Sequence, residues 1–136
     1  MEIVLKNFYT EKLKEINIPS TVTMVEKNAF RYCSSLKEIV IPAEATVGEC
    51  ALQNCTSLTK VGLPSLELDF MKYFYNSNDG TYPTISSYLP NLTDLIISGG
   101  SIKERAFENV TSLVNVTLAN VIKVNNQNVT LNQLKQ

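Results

Sequence analysis

Apolar residues recur in this chain at a period much longer than that of a helix or a strand. Leu13, Leu36, Leu58, Leu92 and Leu113 open successive segments at spacings of 23, 22, 34 and 21 residues. Three and five residues after each leucine stand Ile16/Ile18, Ile39/Ile41, Val61/Leu63, Leu95/Ile97 and Val116/Leu118. Three segments also match when counted back from the leucine that follows. Eleven residues before it are Val25, Val47 and Ile102, and seven before it are Ala29, Ala51 and Ala106. Phe30, Leu52 and Phe107 come next, and Cys33, Cys55 and Val110 lie three residues before the leucine. The L-x-x-I-x-I stretch alternates as a short half-buried strand does. Pro19, Pro42 and Pro64 close it, because proline cannot donate to a continuing ladder. The A-F-x-x-C stretch has helix-like spacing and predicts one or two turns of helix or 3-10 helix. One such coil cannot bury its apolar side alone, so it must stack on its neighbours. The prediction is a solenoid with a short parallel sheet on one face and short helices or 3-10 turns on the other.

The coils are expected at about 13–35, 36–57, 58–91, 92–112 and 113–136, within a single domain spanning 1–136. Residues before Leu13 read as a partial coil, and the last coil is a degraded copy. Repeat arrays need covered ends. The sequence therefore predicts either a piece of a longer chain or end-to-end self-association.

Composition narrows the chemistry. The chain carries 12 Lys+Arg against 13 Asp+Glu, with no His, and its net charge of -1 gives no electrostatic motive for nucleic acid or anionic membranes. Without histidine there is no Ser-His-Asp or Cys-His catalysis and no His-metal site. Three cysteines complete neither a four-thiolate zinc site nor a disulfide framework. No apolar run approaches the roughly 20 residues that span a bilayer, and the N-terminus shows no signal peptide. No cofactor, no metal and no enzymatic activity are expected.

The stretch IPSTVTMVEKNAFRYCSSLKEIVIP (18–42) resembles the BspA-like leucine-rich repeats, through its Ile-Pro, Ala-Phe and Cys-x-x-Leu elements. The resemblance runs from Leu13 to about Leu118. The long coil resembles a variant of that family in which an aromatic insert returns through a Tyr-x-Pro-x-x-Leu element, here Tyr88-Leu89-Pro90-Asn91-Leu92, shifted by one. The family's Ile-Gly element is retained only at Val47-Gly48. The resemblance implies an α/β leucine-rich repeat solenoid, an extracellular or cell-surface location, and binding of macromolecules without catalysis.

Candidate binding residues fall in two places. On the sheet face, stacking would place Glu15, Glu38, Lys60, Asp94 and Asn115 in one row and Asn17, Val40, Gly62, Ile96 and Thr117 in another. A carboxylate column could take a cation or a basic partner, although Lys14 and Lys37 could equally neutralise Glu15 and Glu38. Val40 and Ile96 are the apolar residues of this face. The second place is residues 66–88, which hold Phe70, Tyr73, Phe74, Tyr75, Tyr82 and Tyr88. Here SLELDFMKYFY, with Ser65 as N-cap, reads as a short amphipathic helix. Tyrosines in this insert supply rigid contact area for a protein or glycan partner. Alternatively, Leu66, Phe70 and Phe74 plug the core. Two functions remain open on sequence alone: a binding module for protein or glycan, or a structural spacer of a larger surface protein.

Cys33 and Cys55 should stack at one inward position as free buried thiols, while Cys50 should be at least partly exposed. The Asn-x-Thr sites at Asn54, Asn91, Asn109, Asn115 and Asn128 read as turn residues of a repeat rather than as glycosylation acceptors.

Overall fold

The computed structural model describes residues 2–64, 73–74, 89–97, 101–102, 111–118, 121–124 and 127–130. Its strands are β1 (Val4–Leu5), β2 (Met24–Val25), β3 (Glu38–Val40), β4 (Thr46–Val47), β5 (Lys60–Leu63), β6 (Asp94–Ile97), β7 (Ser101–Ile102), β8 (Asn115–Leu118), β9 (Val121–Val124) and β10 (Gln127–Thr130). The L-x-x-I-x-I elements form a four-stranded sheet in the order β3-β5-β6-β8, parallel throughout. Glu15 bridges to Glu38 in the same direction, so the first coil joins it. The prolines end these strands as expected. Ala45 N–H bonds back to the Pro42 carbonyl at 3.1 Å and Val22 N–H to that of Pro19 at 3.1 Å, turning the chain out of the sheet.

The stretches around Val25, Val47 and Ile102 pair in two further three-stranded sheets. β1, β2 and β4 pair in parallel, with Leu5 beside Val25 and Val25 beside Val47. β7 pairs with β9 in parallel, and β10 then runs back antiparallel along β9. Residues before Leu13 are thus a coil of the same kind, held by β1 and by Phe8, whose ring stacks on Phe30 at 4.8 Å.

The core lies between the sheets and holds the residues picked out by the repeat. Val25, Ala29, Phe30, Cys33 and Leu36 are buried, as are Val47, Ala51, Leu52, Cys55 and Leu58 one coil on. Ile39, Val61 and Leu95 stack inward along the main sheet. Val116 continues their row but is 46% exposed, because β8 has a strand on only one side among the described residues. Leu13, Ile16 and Leu113 are partly buried against the core.

The expected helices of the return side are not present among the described residues. The A-F-x-x-C stretch is instead a chain of tight turns, and its hydrogen bonds show why. Amides of Ala29, Arg31 and Cys33 donate three residues back within the coil. Those of Asn28, Phe30 and Tyr32 donate across to Glu49, Ala51 and Gln53 of the next coil. A helix would keep every donor at home, whereas here every second one crosses. The alternation needs left-handed backbone, found at Asn28 and Tyr32 (φ 63°) and, one coil on, at Cys50 and Asn54 (φ 60°). Asparagine tolerates this conformation and tyrosine does so poorly.

The same ladder fixes the register of the long coil. Leu52 N–H donates to the Tyr73 carbonyl at 2.9 Å, as Phe30 N–H does to that of Ala51. Tyr73 and Phe74 therefore occupy the Ala-Phe places of the third coil, and both are buried. Leu89 takes the cysteine place, with Leu92 N–H bonded to its carbonyl as Leu58 N–H is to that of Cys55. Leu58 to Phe74 and Leu89 to Leu92 thus keep the sequence spacing of the preceding coil. The proposed helix from Ser65 lies outside the described residues apart from Tyr73 and Phe74.

Candidate functional site

Strand pairing brings the sheet-face candidates together. Glu38, Lys60, Asp94 and Asn115 are successive partners across four strands, with Glu15 beside Glu38. Val40, Gly62, Ile96 and Thr117 form the neighbouring row. Val40 is 45% exposed and Ile96 half-buried. Gly62 leaves a gap between them into which Val40 leans, since a Cβ there would meet Val40 Cγ1 at 2.8 Å. Two open hollows lie along these rows. One, of about 550 Å³, is lined by Glu15, Asn17, Glu38 and Val40 with the strand backbone around them. The other, of about 380 Å³, is lined by Glu38, Lys60, Asp94, Ile96, Asn115 and Thr117. Glu38 belongs to both.

The polar rows are unevenly satisfied. Asp94 is held on both oxygens, Oδ1 accepting from Asn115 Nδ2 at 2.6 Å and Oδ2 from the Thr93 hydroxyl at 2.9 Å. The Asn115 bond, then that of Thr93, then the charge of Lys60 keep its carboxyl below the usual aspartate range. A depressed carboxyl pKa stabilises the fold above the unfolded value of 3.8 and loses that contribution as pH falls through the folded value. Carbon-detected titration should place the Asp94 midpoint below 3.8, and Asn115→Ala should raise it. A midpoint unmoved by Asn115→Ala would remove the Asn115 bond as the cause. By contrast, Lys14, Lys37, Glu15 and Glu38 form no ion pair within 4 Å among the described residues. Neutralisation of Glu15 and Glu38 by direct pairing with these lysines does not occur.

The insert divides differently. Tyr73, one of the binding candidates, is 2% exposed and sits in the core at the place of Ala29 and Ala51. It offers no surface to a partner. Phe74 beside it is 1% exposed, in keeping with a core plug. Tyr75, Tyr82 and Tyr88 lie outside the described residues. Counting forward from Leu58 gives this register. Tyr73 and Phe74 stand 15 and 16 residues on, as Ala51 and Leu52 do from Leu36.

All three cysteines are buried, and the thiols of Cys33 and Cys55 each tie one coil to another. Cys33 Sγ donates to the Phe8 carbonyl at 2.7 Å, and Cys55 Sγ to that of Phe30 at 3.0 Å. The same S–H bond thus links successive coils. Cys50 departs from expectation, being only 8% exposed. Its place on the return side is covered by stacked coils whatever residue fills it, and Asn28 there is already half-buried. Burial pushes the Cys55 thiol up to about 12, and burial also raises Cys33 and Cys50. A thiol pKa raised on folding stabilises the fold below the unfolded value of 9.0 and loses that contribution as pH climbs toward about 12. Native protein at pH 8 should therefore show no fast-alkylating thiol, and denatured protein three. A rapidly labelled native thiol would contradict the burial.

Two of the asparagine sites carry turn duties, whereas Asn115 opens β8 and Asn128 lies in β10, so these two are strand residues and not the turn residues expected. Asn54 supplies left-handed backbone, and Asn91 Nδ2 donates to the Thr56 carbonyl at 3.2 Å. Asn109 lies outside the described residues. Among the described residues no His, Cys, Asp and Glu group could hold a metal ion, and no helix is long and apolar enough to cross a membrane.

Coils with parallel strands, buried Ala-Phe and Cys-x-x-Leu places and a polar sheet face define a leucine-rich repeat solenoid. The model of the BspA type leucine-rich repeat region matches residues 1–96 and 86–130, in six copies, and the chain belongs to that family. No curated protein and no solved structure gives a significant match. The family is one of repeat modules suited to interaction and typically without catalysis.

Proposed function

We propose that this chain is a non-enzymatic binding module that contacts a protein or glycan at the cell surface or outside the cell through its main sheet face. The observation that carries this reading is the in-register placement of Glu38, Lys60 and Asp94 beside Val40 and Ile96, over two open hollows. Charged and apolar groups held on a rigid sheet give specificity at little ordering cost. Tyr75, Tyr82 and Tyr88 extend the contact in the same reading.

The spacer reading draws on one observation, the burial of Tyr73 and Phe74, which assigns part of the aromatic stretch to packing. An array of extracellular proteins and glycans, probed with the chain and with Val40→Ser/Lys60→Glu/Asp94→Lys, separates the two. Binding that the triple variant abolishes supports the module. Binding insensitive to these changes places the contact away from the sheet face, and none at all favours the spacer.

A further inference from the structure

The character of the sheet face narrows its partner. No aromatic side chain lies in the two rows, which removes the flat ring on which a sugar face stacks. The hollows hold Glu15, Glu38 and Asp94 against a single Lys60. Glu15 and Glu38 are neighbours across the parallel bridge, with no lysine or arginine within ion-pair distance among the described residues. Like charges set side by side on a sheet oppose one another, and a cation laid between them removes that cost. Asp94 is already oriented by Asn115 and Thr93, so its ordering precedes binding. Lys60 sits between Glu38 and Asp94 and repels a cation from the middle of the row. Within this row negative charge is therefore gathered at the two ends, with Lys14 and Lys37 in the row alongside, and Val40 and Ile96 are the apolar members of the neighbouring row.

We propose, resting on the binding-module reading, that the partner is a protein and that it docks an extended segment carrying two basic side chains four residues apart, with apolar residues beside them. The spacing follows from the sheet. Strands lie about 4.8 Å apart, so Glu15 and Asp94, three strands from one another, are separated by about 14 Å. Residues four apart in an extended chain are about 13.5 Å apart, and the difference is within the reach of a lysine stem. One basic group meets Glu15 and Glu38, the other meets Asp94, and the residue midway faces Lys60 and carries no positive charge. The apolar residues of the segment cover Val40 and Ile96.

Fluorescence anisotropy with labelled nine-residue peptides tests this. The probes are a valine and serine peptide with lysines at places three and seven, the same composition with adjacent lysines, and a version with glutamates in place of both lysines. The expected result is binding of the first, at least tenfold weaker binding of the second and none of the third. Binding should weaken as salt rises. Glu15→Gln/Glu38→Gln should weaken the first peptide at least tenfold without lowering the thermal midpoint, since both residues are exposed and their mutual repulsion is removed. Equal binding of the glutamate peptide, or indifference to the double variant, overturns the proposal. If the lysine peptide fails while an array glycan or acidic protein binds and is lost in the triple variant above, this inference falls and the module reading stands. If nothing binds, both fall.

Discussion

Gly48→Ala should cost about 3 kcal/mol or more of folding stability, although it adds one methyl group. A Cβ at this position would run into Lys27 N and lie 2.6 Å from Lys27 Cα. Both are backbone atoms of the preceding coil, fixed by the parallel pairing of β2 with β4 and by the Gly48 N–H bond to the Val25 carbonyl at 2.8 Å. Relief requires the two coils to part, which breaks that bond and opens the core beside Val25 and Val47. Gly62→Ala is the control. Its new methyl would meet chiefly Val40 Cγ1, the end of a half-exposed side chain that can rotate away. The expected cost there is below about 1 kcal/mol. Urea unfolding of both variants decides the matter, and equal midpoints would show that coil separation is set elsewhere.

Phe30→Ala should cost about 3–5 kcal/mol, a large part of the roughly 5–15 kcal/mol typical of a domain. The side chain is fully buried and its ring stacks on Phe8 with planes only 11° apart. Its removal leaves a cavity between the first two coils and strips Phe8 of its partner. Phe30→Leu, which copies Leu52 at the same place one coil on, should cost less than about 1.5 kcal/mol. A loss under about 1 kcal/mol for the alanine variant would mean that the first coil collapses onto the gap instead of leaving it open.

These two positions also mark how far the sequence could be read. The side-chain period identifies nearly all of the described core, because inward places of stacked coils admit only apolar groups. It also places Glu38 beside Lys60 and Lys60 beside Asp94, since parallel strands of equal coils repeat their register. Helical turns were expected over A-F-x-x-C because the apolar spacing of a tight return matches that of a helix. Nothing in side-chain polarity reveals that Phe30 N–H crosses to Ala51 while Ala29 N–H stays within its coil. Tyr32 and Cys50 gave no warning of left-handed backbone, which asparagine would have signalled. In the long coil the added length concealed the register. Tyr73 then fell inside an apparent insert, although it holds the place of an alanine.

The alternating amides of the return side have a consequence for how the array comes apart. Protection of Asn28, Phe30 and Tyr32 from solvent exchange depends on the carbonyls of the following coil, not on their own. The amide of Leu52 likewise reports on the chain at Tyr73. A coil that loses its successor exposes three of its own donors at once while keeping its internal turns. Fraying should thus advance in whole-coil steps, with each coil's exchange rates announcing the departure of the next one.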